Sequence, residues 1–179
     1  AIAAALRRRY AGRRIVFSLG RMVYYKGFEV LIEAASALPD DVVVVIGGDG
    51  ELLESHRRLV RRIGLEGKVD LVGHIPDEVI GAHFAASDVF CLASTARSEA
   101  YGVAIVEAMM MGKPVVASNI SGSGVPWVNV HGLTGFNVPV GEPAELARGL
   151  TALMADGEGR ERLGRAARHR FQCEFRATK

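Results

Sequence analysis

Short, continuous apolar runs alternate with longer segments of helical period along this chain. The runs fall at residues 14–19, 42–46, 69–72, 88–92 and 114–118, with a weaker one at 135–138. Their apolar residues are continuous rather than alternating, the pattern of strands covered on two faces. Between them the period lengthens, and helices are predicted over 28–38, 51–63, 79–86, 103–111, 143–154 and 159–170. In the second of these, Leu52, Leu53, His56, Leu59, Val60 and Ile63 form one stripe, with Arg57, Arg58, Arg61 and Arg62 outside it. Strand and helix repeated in this order predict an α/β fold: a Rossmann-like three-layer α/β/α sandwich with a parallel sheet and right-handed crossovers.

Length and composition sharpen this. At 179 residues the chain reads as one domain, 1–179, able to bury a core without disulfides or a structural metal. No apolar run approaches the roughly 18 residues of a membrane span, and residues 1–10 lack a signal-peptide cleavage pattern. Cys91 and Cys173 are far apart, and Cys91 lies in a strand-like run; a buried free thiol in a reducing compartment is the simple reading. These features predict a cytoplasmic protein.

The net charge of +2 is unevenly spread. Residues 15–155 carry 10 basic and 16 acidic side chains, and the two ends carry 12 and 4. An acidic centre argues against a general nucleic-acid binder. The Arg-rich ends admit two readings, contact with an anionic membrane or solvated helix faces. The second is simpler, because Arg is the preferred base throughout, at 18 against 4 Lys. The five His residues show no ligand spacing, so no metal site is expected.

In open parallel sheets ligands bind at the carboxyl ends of the strands, which directs attention to the residues after each run. Gly20-Arg21 and Lys26-Gly27 follow the first. A planar guanidinium and a point charge five residues apart could neutralise a diphosphate, or be two solvated loop cations. Gly48-Asp49-Gly50 follows the second run instead of the first and lacks a third glycine at the dinucleotide spacing. It reads as a turn and helix start with Asp49 near the helix N-terminus. Gly73-His74-Ile75-Pro76 follows the third; a flat base could rest there, but a plain strand-to-helix connection explains the same residues. His83 fits a core histidine, and Trp127 and His131 have no partner pattern.

The richest segment runs from Ser94 to Pro114. Its helix, 103–111, is apolar almost all round and is predicted to be central and buried, with Glu107 its only charge. A buried carboxylate needs donors: backbone or a cation in a structural role, ligand hydroxyls such as a vicinal diol in a functional one. Glu99 lies eight residues earlier, where it can face the same ligand. The amides near Gly102 and Val103 would form a helix N-terminus, a natural phosphate site. A phosphate flanked by two polyol-binding carboxylates suits a nucleotide-sugar.

Glu99 and Glu107, with Ala-Tyr-Gly between, resemble the EX7E motif of the retaining GT-B glycosyltransferases of the large fourth family, the group 1 glycosyl transferases. Other stations agree in order and spacing: Gly20-Arg21 through Lys26-Gly27, Gly48-Asp49-Gly50, Val72-Gly73, residues 86–90, Gly112-Lys-Pro-Val-Val-Ala-Ser and Gly132-Leu-Thr-Gly135. The resemblance covers residues 15–155. It implies that Arg21 and Lys26 hold the donor diphosphate and stabilise its leaving charge, that Glu107 binds the ribose and that Glu99 binds the transferred sugar. It further implies that Gly20 and the amides of Ala100, Tyr101, Gly102 and Val103 serve sugar and phosphate, and that His74 and Ile75 receive the base. Arg21, Lys26 and Glu99 are the implied catalytic residues. One departure stands in the fourth loop, where Ala93 replaces the family's usual proline.

The implied donor is a UDP- or GDP-sugar, with no cofactor and no metal. The implied reaction is retaining hexosyl transfer to a glycan or lipid-linked acceptor, as in polysaccharide or lipopolysaccharide synthesis. The family pairs two Rossmann-like domains, and the motifs here belong to its C-terminal, donor-binding one. The acceptor-binding N-terminal domain is therefore expected outside these residues, either earlier in a longer polypeptide or on a separate subunit, the isolated chain is expected to bind nucleotide-sugar without transferring it, and the Arg-rich ends are expected near that partner or a membrane's inner face. Two alternatives remain at this level: a nucleotide-sugar 2-epimerase-like domain, or a non-catalytic nucleotide-binding scaffold.

Overall fold

The computed structural model describes residues 1–176. Six strands form one parallel sheet: β1 Arg14–Leu19, β2 Val42–Gly47, β3 Val69–Gly73, β4 Val89–Leu92, β5 Val115–Ser118 and β6 Gly135–Val138. Their spatial order is β3-β2-β1-β4-β5-β6. The chain winds outward from β1 through β2 to β3, then crosses back to place β4 on the other side of β1. β1 and β4 therefore diverge at their carboxyl ends, the crevice in which doubly wound sheets receive ligands.

Eight helices cover the sheet: α1 Ile2–Arg9, α2 Phe28–Ala35, α3 Leu53–Arg62, α4 Asp77–Ala86, α5 Val103–Met110, α6 Val125–Val128, α7 Pro143–Ala155 and α8 Gly157–Arg170. Strand alternation separates the core into two layers. Val16, Val44, Ile46 and Cys91 pack against Phe28, Leu31, Leu146 and Leu150 of α2 and α7. Ile15, Phe17, Val45 and Phe90 pack against Phe84, Ile105, Met109 and Val125 of α4, α5 and α6. This is the expected three-layer sandwich. Cys91 is fully buried and free, and burial pushes its thiol pKa far up. His83 sits as expected, with its ring stacked on Phe17 and its Nδ1 3.0 Å from the Val79 carbonyl oxygen.

Two expectations are corrected. α5 is not buried all round: Val103 is 66% exposed and Met110 is exposed too, so only the Ile105-Ala108-Met109 face enters the core. The apolar rim beside Glu107 thus faces outward. Asp49 stands in the turn before α3, near the helix start as expected, and its carboxylate accepts from the Gly50 amide. The Arg-rich N-terminus is not merely solvated. Arg7 donates twice to Asp88, at 2.9 and 2.8 Å, and Arg9 and Tyr10 both donate to Asp70. Arg14 is bidentate on Asp41. α1, which the sequence pattern missed, is tied to the amino ends of the strands by these contacts.

α6 was also missed, being a four-residue turn opened by Val125-Pro126. His131 and the Gly132–Gly135 turn prove structural: Thr134 donates to the buried Asn129 side chain, which donates to Asn137, whose own amide donates to His131 Nδ1. Among the described residues no helix is long and apolar enough to cross a membrane.

Candidate nucleotide-sugar site

The crevice between β1 and β4 opens into a pocket of about 440 Å³ lined by Leu19, Gly20, Lys26, Glu99, the 100–104 backbone and Glu107. Its shape is set by three interlocking loops. After β1 the chain runs Gly20-Arg21-Met22, and Met22 is fully buried. The β2 loop braces it: the Gly20 amide donates to Gly47, Met22 to Asp49 and Leu52 to the Met22 carbonyl. Gly48, at φ +135°, lies so close that a Cβ would fall 1.8 Å from the Gly20 oxygen. The Gly48-Asp49-Gly50 station thus supports the first loop and makes no phosphate cradle of its own.

A short 3-10 turn, Tyr24–Lys26, then lifts Lys26 over the pocket. Gly27 follows, and a Cβ there would meet the Ala93 carbonyl oxygen at 2.1 Å. The Thr95 amide donates to Tyr25 across the same contact. The loop after β4 is therefore fixed against this turn with alanine in place of the expected proline.

The expected site residues divide by state. Lys26 and Glu99 form an ion pair, with Nζ 2.6 Å from Oε2. Ser94 donates to the same oxygen at 2.7 Å. Glu99 is buried, and Ser94 is completely enclosed. Arg21 is exposed, and its side chain has no hydrogen-bond partner among the described residues. The amides of Ala100, Tyr101, Gly102 and Val103 likewise have no acceptor there, and they lead into the positive end of α5. Gly20 lets the Lys26 chain cross, since a Cβ would lie 3.2 Å from its Cε.

Glu107 lies one turn into α5, half-buried, with no donor among the described residues. Burial and the nearby Asp77 carboxylate hold its pKa above the ordinary glutamate value. His74 and Ile75 stand at the end of β3, outside the residues lining the pocket. His74 is exposed, while Ile75 is buried with its side chain packed against Gly47. Sequence reasoning missed Ser94, whose role is a contact across the loop, and the Tyr101-Trp127-Phe175 cluster. There the rings lie 5.4–6.2 Å apart, with Arg170 over Trp127 at the pocket's outer rim. No cluster of three or more His, Cys, Asp or Glu side chains that could hold a metal occurs among the described residues.

The family of glycosyl transferases group 1 matches residues 6–170. The chain belongs to that family. It is 34% identical to D-rhamnosyltransferase WbpZ of Pseudomonas aeruginosa over 166 residues, which is 93% of this chain and 42% of that protein. It is 32% identical to the GDP-mannose-dependent alpha-(1-6)-phosphatidylinositol monomannoside mannosyltransferase of Mycolicibacterium smegmatis, covering 93% and 46%. Anabaena HepE in complex with UDP-glucose superposes with a TM-score of 0.89 at 30% identity, covering 97% of this chain and 48% of that one. This group 1 chain thus spans under half the length of the relatives it matches, and its sheet is their Rossmann-like fold.

Proposed function

We propose that this chain is the donor-binding half of a retaining glycosyltransferase that moves a hexose from a UDP- or GDP-sugar to a glycan or lipid-linked acceptor without a metal. Glu107 carries the reading. A half-buried carboxylate without a donor costs stability in the empty fold; a ribose diol supplies the two hydroxyls it lacks. Beside it, four unpaired amides and Lys26 line the space a diphosphate would fill, the exposed Arg21 follows Gly20 just outside that lining with its guanidinium free to reach in, and Glu99 faces the sugar. His74 and Ile75 offer backbone to the base.

In the reaction, the bond between the anomeric carbon and the diphosphate oxygen breaks, and the acceptor oxygen bonds that carbon on the same face. The acceptor proton passes to the departing phosphate. Negative charge grows on the diphosphate, and preorganised cations and amides stabilise it. UDP-glucose in the Anabaena structure and GDP-mannose in the mycobacterial enzyme's name support a nucleotide-sugar donor of either base. The phosphatidylinositol monomannoside in the same mycobacterial name supports a lipid-linked acceptor.

Calorimetry with UDP, UDP-glucose, GDP and GDP-mannose tests this. The chain is expected to bind one nucleotide set, and Glu107→Ala to weaken it about tenfold or more, the worth of hydrogen bonds to a charged group. Unchanged affinity in Glu107→Ala would remove the pocket assignment.

A further inference from the structure

Glu99 presents an asymmetric carboxylate. Lys26 and Ser94 both donate to Oε2. Oε1 has no donor among the described residues, and the side chain lines the pocket. Oε1 is therefore the oxygen open to a sugar hydroxyl. The two donors differ in what can displace them. Lys26 is a charge on a flexible stem at the pocket wall, and a diphosphate competes for it directly. Ser94 is fully enclosed at the end of β4, its hydroxyl bonded to Glu99 alone, out of any ligand's reach. Once a diphosphate draws the Lys26 ammonium away, one hydroxyl is left to fix the rotation of the carboxylate.

We infer that Ser94 is a positioning residue: it holds Oε2 so that Oε1 stays aimed at the transferred sugar after Lys26 turns to the diphosphate. This rests on the donor-site reading above and adds how the sugar is distinguished from the bare nucleotide. Ser94 touches no substrate. Its effect is confined to the sugar's share of binding, whereas general damage to the loop would weaken sugar and nucleotide alike.

The test is the ratio of nucleotide-sugar to nucleoside diphosphate affinity, measured by calorimetry with UDP against UDP-glucose and GDP against GDP-mannose. Wild type is expected to favour the sugar form of its nucleotide. Ser94→Ala is expected to keep the nucleoside diphosphate affinity within about twofold and to lose about tenfold of the sugar preference. Ser94→Cys, nearly isosteric with a weaker donor, carries the same test if the alanine variant folds poorly. A retained preference in the folded variant overturns the inference, as does an equal loss for nucleotide and nucleotide-sugar. Wild type that binds nucleotide without preferring the sugar form overturns the inference and leaves the nucleotide site standing. Wild type that binds no nucleotide overturns the site itself.

Discussion

Glu99 and Glu107 share one segment yet meet opposite electrostatic conditions. Glu99 is paired with the Lys26 ammonium and accepts a hydrogen bond from Ser94. Glu107 is left with burial and a like charge from Asp77, which raise its pKa. A carboxyl whose pKa is higher folded than unfolded makes the native state bind protons more tightly, so it disfavours folding at neutral pH. That penalty disappears on acidification below the ordinary glutamate value. Glu107→Gln, which keeps the shape and removes the charge, is therefore expected to raise the thermal midpoint of the ligand-free chain at pH 7, by roughly 1–3 °C for a domain this size. The gain should close toward about pH 4. A midpoint unchanged or lowered at pH 7 would mean Glu107 has a partner after all. Glu107 was legible in the sequence because it is the lone charge in an apolar helix. Ser94 was not, because a serine after a strand carries no signal until its hydroxyl is seen against Glu99.

At the scale of elements, the central strands were legible because β1, β2, β4 and β5 are largely continuous apolar runs buried in the sheet, while the edge strands β3 and β6, with Asp70 and Asn137 in them, are weaker runs. α1 was not legible: its apolar residues are mostly small alanines that form no clear stripe, and it is held by Arg7 on Asp88 and by Arg9 and Tyr10 on Asp70, contacts across 60 to 81 positions of chain. The exposure of α5 was misread for a related reason. An all-apolar helix predicts burial on every side, but Val103 sits at the rim of a crevice that only the sheet's winding creates. The same winding makes Gly48 a strut. Gly48→Ala forces a Cβ against the Gly20 carbonyl in a backbone region that costs an L residue about 1–2 kcal/mol before any clash. It is expected to lower the thermal midpoint by at least about 5 °C. Because Gly20 leads to Arg21, nucleotide affinity should fall with it. Gly81→Ala, in α4 with open space around it, supplies the contrast: its stability should hold or rise, since alanine outranks glycine in a helix by about 1 kcal/mol. Equal loss in the two variants, by calorimetric melting, would remove the strut argument.

For the molecule as a whole, the two ends of the sheet do different work. The amino ends of the strands carry the arginine clamps, with Arg7 on Asp88 and Arg14 on Asp41, and these take up part of the N-terminal basic charge that the sequence left open to a membrane or a partner. The carboxyl ends carry the pocket, and here the chain supplies one wall. Tyr101 and Val103 stand exposed at its rim, with Trp127 beside them, 52% exposed. In the proposed arrangement, with the sugar on Glu99 and the ribose on Glu107, none of the described residues covers the pocket's open side. Glycosyl transfer needs an acceptor hydroxyl aligned at the anomeric carbon and water kept away from it; positioning of this kind is worth about 7–11 kcal/mol of barrier. An open, one-sided pocket supplies neither. The chain is accordingly expected to bind its nucleotide-sugar and release no nucleoside diphosphate above the uncatalysed rate, with or without glycan acceptors. Turnover should appear when the remaining half of a group 1 relative is joined to it or added in trans. Coupled detection of released UDP or GDP decides the matter. Sustained transfer by the 179 residues alone would show that this single sheet builds the acceptor side as well.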